Sequence, residues 1–293
     1  MSFNFSGHVH ASTRLKANHG IVAERDASLL VLPALLGSGK DFTEHDYLEY
    51  LKYWGDENAK KIAKRYPSAM FNSTGDTTKA VMAALTVITT VSRLICPSYY
   101  IMQSAEVSKV DAYLYRWNHT LSCPFLIAAS LGGVPFPTPQ EREIFGPTHI
   151  SDVPFTFGNL DNMPLGKGNC TATKAEHELS KVMRESWTAM ASGDPSFDGF
   201  KWPRYDACNS KGVVFGEEAK VDVIEFADCK FWGEIWNDIT GGKVAFLGRE
   251  TKCDNSTSGS GKPGQPATAA AISSTVSWML YSMVSFLVAV IIL

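Results

Sequence analysis

The sequence predicts a mixed α/β chain followed by an unfolded linker and an apolar tail, and three observations lead there. Residues 20–30 and 110–117 read as strands, the first ending in a polar turn before an apolar run and the second alternating apolar with polar side chains. Between them, residues 41–68 and 80–103 carry apolar side chains at helical spacing. After residue 254 the composition changes to Ser, Gly, Pro and Thr, and then to an uncharged run that reaches Leu293.

In order, Thr43 and Asp46 form a capping pair ahead of Tyr47, Leu48 and Leu51, and Gly55 separates that helix from a second over 57–65. His45 falls in the first turn of the first helix and reads as a solvated surface residue. The apolar helix over 80–103 fits burial against a sheet, and Pro97 requires a bend or a break in it. Residues 131–146 hold three prolines and three glycines and read as a loop leading to His149. The run Val153-Pro154-Phe155-Thr156-Phe157 alternates apolar and small side chains, which predicts an extended segment lying across a core. A helix around Trp187 follows, then a loop-rich stretch over 201–218, and a segment over 221–236 whose last residues read as helical.

Composition bounds the function. The 293 residues are 45 % hydrophobic and 19 % charged, as in foldable globular chains, and a net charge of −3 gives no reason to expect a nucleic-acid partner. No H-E-x-x-H or C-x-x-C pattern occurs. On an extended strand His8 and His10 would share one side, but the sequence offers no third ligand, so neither a metal nor a cofactor is expected. Six cysteines, an even number, and five glycosylation sequons at Asn4, Asn72, Asn118, Asn169 and Asn255 favour an oxidising, extracellular setting. Residues 1–25 contain no apolar core of signal-peptide length, so either the chain stays in the cytosol or its true beginning lies upstream of Met1.

The candidate site centres on Gly146-Pro147-Thr148-His149, with Asp152 three residues later and Phe157-Gly158-Asn159 closing the stretch. About thirty residues on come Trp187, Met190-Ala191, Gly193-Asp194-Pro195 and Trp202-Pro203-Arg204-Tyr205. This order of pieces, from about residue 20 to 236, resembles the C-terminal half of the type-B carboxylesterases, the α/β-hydrolases that include fungal lipases and cholinesterases. The resemblance implies that His149 is the catalytic histidine, although Ile150 stands where the family has glycine. It places Arg25-Asp26-Ala27-Ser28 on the family segment that bears the triad acid. Asp26 there replaces glutamate and Ala27 replaces glycine; Glu24 is the alternative acid. It also implies a disulfide between Cys96 and Cys229 and leaves three pairings open for Cys123, Cys170, Cys208 and Cys253.

The family nucleophile, a serine in a G-x-S-x-G elbow upstream of the acid, has no counterpart here. Gly37-Ser38-Gly39 and Gly259-Ser260-Gly261 lack the outer glycine spacing, and Gly132-Gly133 and Gly241-Gly242 read as turns rather than oxyanion-hole segments. The chain therefore reads as part of a carboxylic ester hydrolase for small ester or lipid substrates, inactive alone, with an unpaired strand edge and loose packing when expressed by itself. The alternative is a catalytically inactive cholinesterase-like surface protein that binds or adheres.

Three regions follow: a partial hydrolase domain over 1–253, a linker and spacer over 254–275, and the tail over 276–293. Eighteen uncharged residues ending the chain, after the small residues Gly264 and 267–271 and the spacer Ser273-Ser274-Thr275, have the layout of a GPI-attachment signal, with Gly264 the favoured site and a retained transmembrane helix the competitor. That reading places the protein at the extracellular face of the plasma membrane or in the cell wall, with a signal peptide upstream of Met1.

Overall fold

The computed structural model describes residues 17–23, 25–73, 75–123, 145–161, 170–197 and 200–242. Strand β1 (Ala17–Ala23) leads through a short turn into α1 (Ser28–Gly37), and β2 (Asp111–Trp117) lies parallel to β1 with Ala17 opposite Asp111 and Ala23 opposite Trp117. Because the pair is parallel, the chain leaves both strands at the same carboxyl end of the sheet, the end that bears sites in open α/β sheets.

The crossover between these strands is helical. The hydroxyl of Thr43 accepts the Asp46 amide while the Asp46 carboxylate accepts the Thr43 amide, a reciprocal cap that starts α2 (Glu44–Leu51). A 3-10 turn over Lys52–Trp54 and then Gly55, at φ 85°, redirect the chain into α3 (Asp56–Arg65). Helix α4 (Thr77–Thr90) opens on the Asp76 cap and runs without a loop into a π turn (Val91–Ile95) and α5 (Cys96–Val107). Pro97 thus causes no gross break. It sits in the first turn of α5, where its missing N–H and its ring are tolerated, and the widened turn before it absorbs the mismatch. By length and composition, the 31 residues from Thr77 to Val107 are apolar enough to cross a bilayer, but most of this helix is buried inside the protein.

Two expectations are corrected. Residues 153–157 form a short helix, α6 (Val153–Phe157), rather than an extended segment. Pro154 in its first turn is compatible with helical φ, the Thr156 amide bonds the Asp152 carbonyl, and Gly158 ends the turn in the left-handed region. The alternation of residue types does not carry over to burial: the adjacent Pro154 and Phe155 are buried while Val153 and Phe157 face solvent, as on a short helix rather than a strand.

The stretch 201–218 is not only loop. Beyond α7 (Lys174–Ser192) and a short antiparallel pair, β3 (Ser196–Phe197) with β4 (Phe200–Lys201), it contains β5 (Lys211–Phe215), which pairs parallel with β2. Strand β6 (Ala219–Val223) returns antiparallel, so the main sheet has the order β1-β2-β5-β6. Glycine and polar residues on both flanks masked this five-residue strand, although Val213 and Phe215 are fully buried. Helix α8 (Cys229–Thr240) closes the described residues and ends at Gly241 in the left-handed conformation.

Two main cores hold the layers together. Tyr47, Leu51, Trp54, Ile62, Leu85, Ile88 and Trp232 join the helices on one side, and Trp117, Phe155, Met183, Trp202 and Phe215 pack α6 and α7 against the sheet on the other. A fully buried Leu, Ile, Phe or Met contributes about 1.5–3 kcal/mol, and the tryptophans, with the largest buried area each, contribute most to both clusters. Cys96 and Cys229 are joined across a sequence separation of 133, tying α5 to α8, and Cys123 pairs with Cys170. Cys208 is also disulfide-bonded, and Cys253 lies outside the described residues.

Candidate active site

Asp26 and His149 meet at the carboxyl ends of β1 and β2. Asp26 follows β1 by three residues in a tight turn whose Ser28 amide bonds the Arg25 carbonyl. Ala27 is fully buried and is not among the residues with positive φ, so alanine fits its backbone without strain. Its amide donates to the Thr90 hydroxyl at 2.9 Å.

The histidine arrives from the other side on a segment stitched to that turn. The Arg25 amide donates to Pro147 O at 3.1 Å and the His149 amide to Asp26 O at 2.9 Å. The Ser28 hydroxyl lies 2.7 Å from Thr148 Oγ1 and 2.6 Å from Phe145 O, and the Leu29 amide donates to Thr148 Oγ1 at 2.8 Å. Gly146 permits this approach: at φ 58° it takes a conformation that disfavours side chains, and a Cβ there would lie 2.8 Å from Arg25 Cδ.

The two side chains pair directly. His149 Nδ1 lies 2.9 Å from Asp26 Oδ1, with the carboxylate 8 % and the imidazole 22 % exposed. Donation from Nδ1–H to the carboxylate leaves Nε2 as the basic nitrogen, and no described residue bonds it. Burial works to lower the imidazole pKa, but the hydrogen bond and charge of Asp26, with the charge of Asp152 behind them, outweigh it and raise the pKa above its ordinary value. The shorter aspartate therefore reaches the histidine, because the turn and the histidine segment are bonded backbone to backbone.

Asp152 does not touch the imidazole. Its carboxylate accepts from the Tyr115 hydroxyl at 2.8 Å, and desolvation raises its pKa. Burial pushes the Tyr115 phenol well above its ordinary value, and the neighbouring carboxylate adds to this. The Tyr115 ring packs edge-on to Trp187 and Trp202, at 5.5 and 6.0 Å between centroids. Next along the strand, Trp117 Nε1 donates to Ser151 Oγ at 2.7 Å, while Trp202 Nε1 donates to Leu114 O. The tryptophan motifs thus brace β2 and the segment that carries His149.

Beside the site, Glu176 is buried and gathers the Ser122 amide and hydroxyl, the Thr173 amide and His119. Burial opposes its charge, but these bonds prevail and hold its pKa well below the usual carboxylate range. The network ties the segment next to Cys123 to the first turn of α7. Sequence reasoning missed Ser28, Thr90, Thr148 and Glu176; only Thr173-x-x-Glu176, a capping-box pattern, signalled any of them.

Of the remaining candidates, Asn72 and Asn118 are exposed, while Glu24, Asn4, Asn169, Asn255 and Gly264 lie outside the described residues. Among the described residues, no group of three His, Cys, Asp or Glu could hold a metal ion.

Residues 37–232 match the sequence model of the carboxylesterase family. The chain belongs to that family. The match contains His149, Asp152, both described disulfides and the tryptophan motifs, and it begins after Asp26. No protein of curated function matches the chain. Membership carries an ester-hydrolase-like function and an ester as the class of substrate.

Proposed function

We propose that this chain contributes the base and acid of a Ser-His-Asp carboxylic ester hydrolase, His149 and Asp26, to a nucleophile encoded upstream of Met1. The observation that supports this most is the 2.9 Å contact between His149 Nδ1 and Asp26 Oδ1 at the shared carboxyl end of two parallel strands. Neutral His149 takes the serine proton at Nε2 as the serine oxygen attacks the ester carbonyl, then returns it to the leaving alcohol. A water molecule repeats the cycle to release the acid. Asp26 fixes the tautomer and stabilises the imidazolium. Asp152, held by Tyr115, adds negative charge behind the pair without entering proton transfer.

Among the described residues β1 ends the sheet on one side, and that edge is where we place the strands of the nucleophile-bearing half. The partial domain then spans 1–253, followed by the linker over 254–275 and the tail over 276–293. The test is hydrolysis of a short-chain p-nitrophenyl ester by protein that includes the sequence encoded upstream. Activity abolished by His149→Ala and lowered by about 10⁴ in Asp26→Asn supports the triad. Undiminished turnover in His149→Ala rejects it, and hydrolysis by the present chain alone rejects the divided site.

The second reading, an inactive cholinesterase-like adhesion protein, draws on Ile150, a β-branched residue at φ 59° where the family has glycine. A serine-less elbow upstream would favour it. In either case we propose that Gly264 or a neighbour receives a GPI anchor at the cell surface and that Asn72 and Asn118 carry glycans. Release from cells by phosphatidylinositol-specific phospholipase C supports the anchor; retention in the membrane with an epitope placed after Trp278 intact refutes it.

A further inference from the structure

Asp26 and His149 are bonded chiefly to each other's segments. The Arg25, Leu29 and His149 amides and the Ser28 hydroxyl all tie the acid turn to residues 145–149. Such a pair can shift as a unit unless something fixes it to the rest of the fold. Helix α4 supplies one fixed point. The Thr90 hydroxyl, at the last residue of α4, accepts the Ala27 amide at 2.9 Å; Thr90 is 1 % exposed and Ala27 0 %.

The location of Thr90 is unusual. The next residue opens the π turn Val91–Ile95, and the residue after that turn, Cys96, is fully buried in the disulfide to α8. A π turn re-phases all side chains that follow it, so one continuous helix can aim Thr90 at the acid turn and Cys96 at α8. Neighbouring hydroxyls do not share this role: Thr86, also buried, has no hydrogen-bond partner among the described residues.

We propose that Thr90 is a positioning residue for the acid of the dyad: through the Ala27 amide it holds the turn where the Asp26 carboxylate meets His149 Nδ1. This rests on the reading of Asp26 and His149 as the acid and base. Thr90 touches neither substrate nor reacting atoms. Without its acceptor, the Ala27 amide is buried unpaired, and the turn relaxes until the amide finds another partner. The carboxylate moves with it.

The groups that set the charge of the imidazole are Asp26 and Asp152, the latter bonded to Tyr115. His149 titration, followed by ¹³C-histidine NMR, and hydrogen exchange at the Ala27 amide therefore report the position of the turn. Both are measured on the full chain for the parent, Thr90→Val, Thr90→Ser and Asp26→Asn, with Thr86→Val controlling for loss of a buried hydroxyl elsewhere on α4. Thr90→Val is expected to lower the His149 midpoint in the direction of Asp26→Asn and to speed Ala27 exchange. Thr90→Ser is expected to restore both, and Thr86→Val to leave both unchanged. If the valine variant does not fold, Thr90→Ala removes the same acceptor and serves the same comparison. A midpoint unmoved by loss of the Thr90 hydroxyl, while Asp26→Asn lowers it, overturns the positioning role and leaves the dyad standing. An equal fall in Thr86→Val marks general loosening and also overturns it. No response to Asp26→Asn removes the dyad, and the proposal with it.

Discussion

Thr148 acts as a cap from outside the helix it caps, which makes Thr148→Val an informative perturbation. The first amides of an α-helix have no partner within the helix. In α1, the Ser28 amide uses Arg25 O and the Leu30 and Val31 amides use Ala27 O, whereas the Leu29 amide uses the Thr148 hydroxyl at 2.8 Å. Valine keeps the shape of threonine and removes that acceptor at a position 5 % exposed. An orphaned amide costs about 1–3 kcal/mol when buried and loss of a cap roughly 0.5–2, so for the part-buried Leu29 amide about 2 kcal/mol is expected. Ser28→Ala should cost less, about 1 kcal/mol, from loss of the bonds to Phe145 O and Thr148 Oγ1. Because the two hydroxyls bond each other at 2.7 Å, the double variant should fall short of additivity by about 1 kcal/mol. Urea unfolding followed by tryptophan fluorescence reads this directly; with a slope of roughly 2 kcal/mol/M, the Thr148→Val midpoint drops by about 1 M. An unmoved midpoint, or strict additivity in the double variant, would refute the clasp between the acid turn and the histidine segment.

Replacing both Cys96 and Cys229 by alanine removes a closure of 133 residues and is expected to cost roughly 5 kcal/mol, against roughly 4 for the separation of 47 between Cys123 and Cys170; equal chemical-denaturation shifts would contradict the loop-length argument. Since the His149 pKa is raised on folding, its pairing with Asp26 stabilises the fold fully below the unfolded value of about 6.5, and this is lost as pH rises through the folded value. Stability-versus-pH curves of the parent and Asp26→Asn should therefore converge towards high pH, and a difference that grows there would reverse the assignment. Glu176 has the opposite sign: its stabilisation is present above the ordinary carboxylate pKa of about 4.3 and is lost as acid protonates it, so Glu176→Gln should flatten the acid limb of the same curve. At position 150 glycine should be more stable than alanine by about 1 kcal/mol, reversing the usual order, because φ is 59° there; thermal melts of Ile150→Gly and Ile150→Ala decide it.

What could be read in the sequence was local chemistry of fixed spacing. Thr43 with Asp46 announced its cap, Gly55 its break, and the alternation over 110–117 its strand, since each depends on residues within one turn or one pleat. The order of motifs around His149 and Trp202 pointed to the family. Features that depend on tertiary packing stayed hidden. Residues 153–157 alternate in residue type but not in burial, Gly212 and the polar residues flanking the strand conceal β5, and nothing near Cys123 marks Cys170 as its partner. The π turn was foreshadowed only as a defect at Pro97. Ser28, Thr90 and Thr148 are ordinary hydroxyl residues whose role exists only once segments far apart in sequence meet.

The two positions that the motif resemblance sets against glycines, Ala27 and Ile150, have different physical consequences. At Ala27 the backbone is compatible with any L-residue and the side chain is simply buried, so the replacement leaves the acid turn unstrained. At Ile150 the backbone stays in the left-handed region, and the isoleucine imposes a steric cost on the order of 1–2 kcal/mol. That conformation persists because its neighbours are fixed on both sides: the His149 amide is bonded to Asp26, the Ser151 hydroxyl accepts from Trp117, and the Ser151 amide returns to Thr148 O. Strain survives in a fold only where surrounding contacts over-determine it. A rigid segment on either side of Ile150 is also what keeps Nδ1 of the neighbouring imidazole on the Asp26 carboxylate. The contacts that hold the histidine in register with its acid are thus the same ones that let a β-branched residue occupy a glycine's conformation.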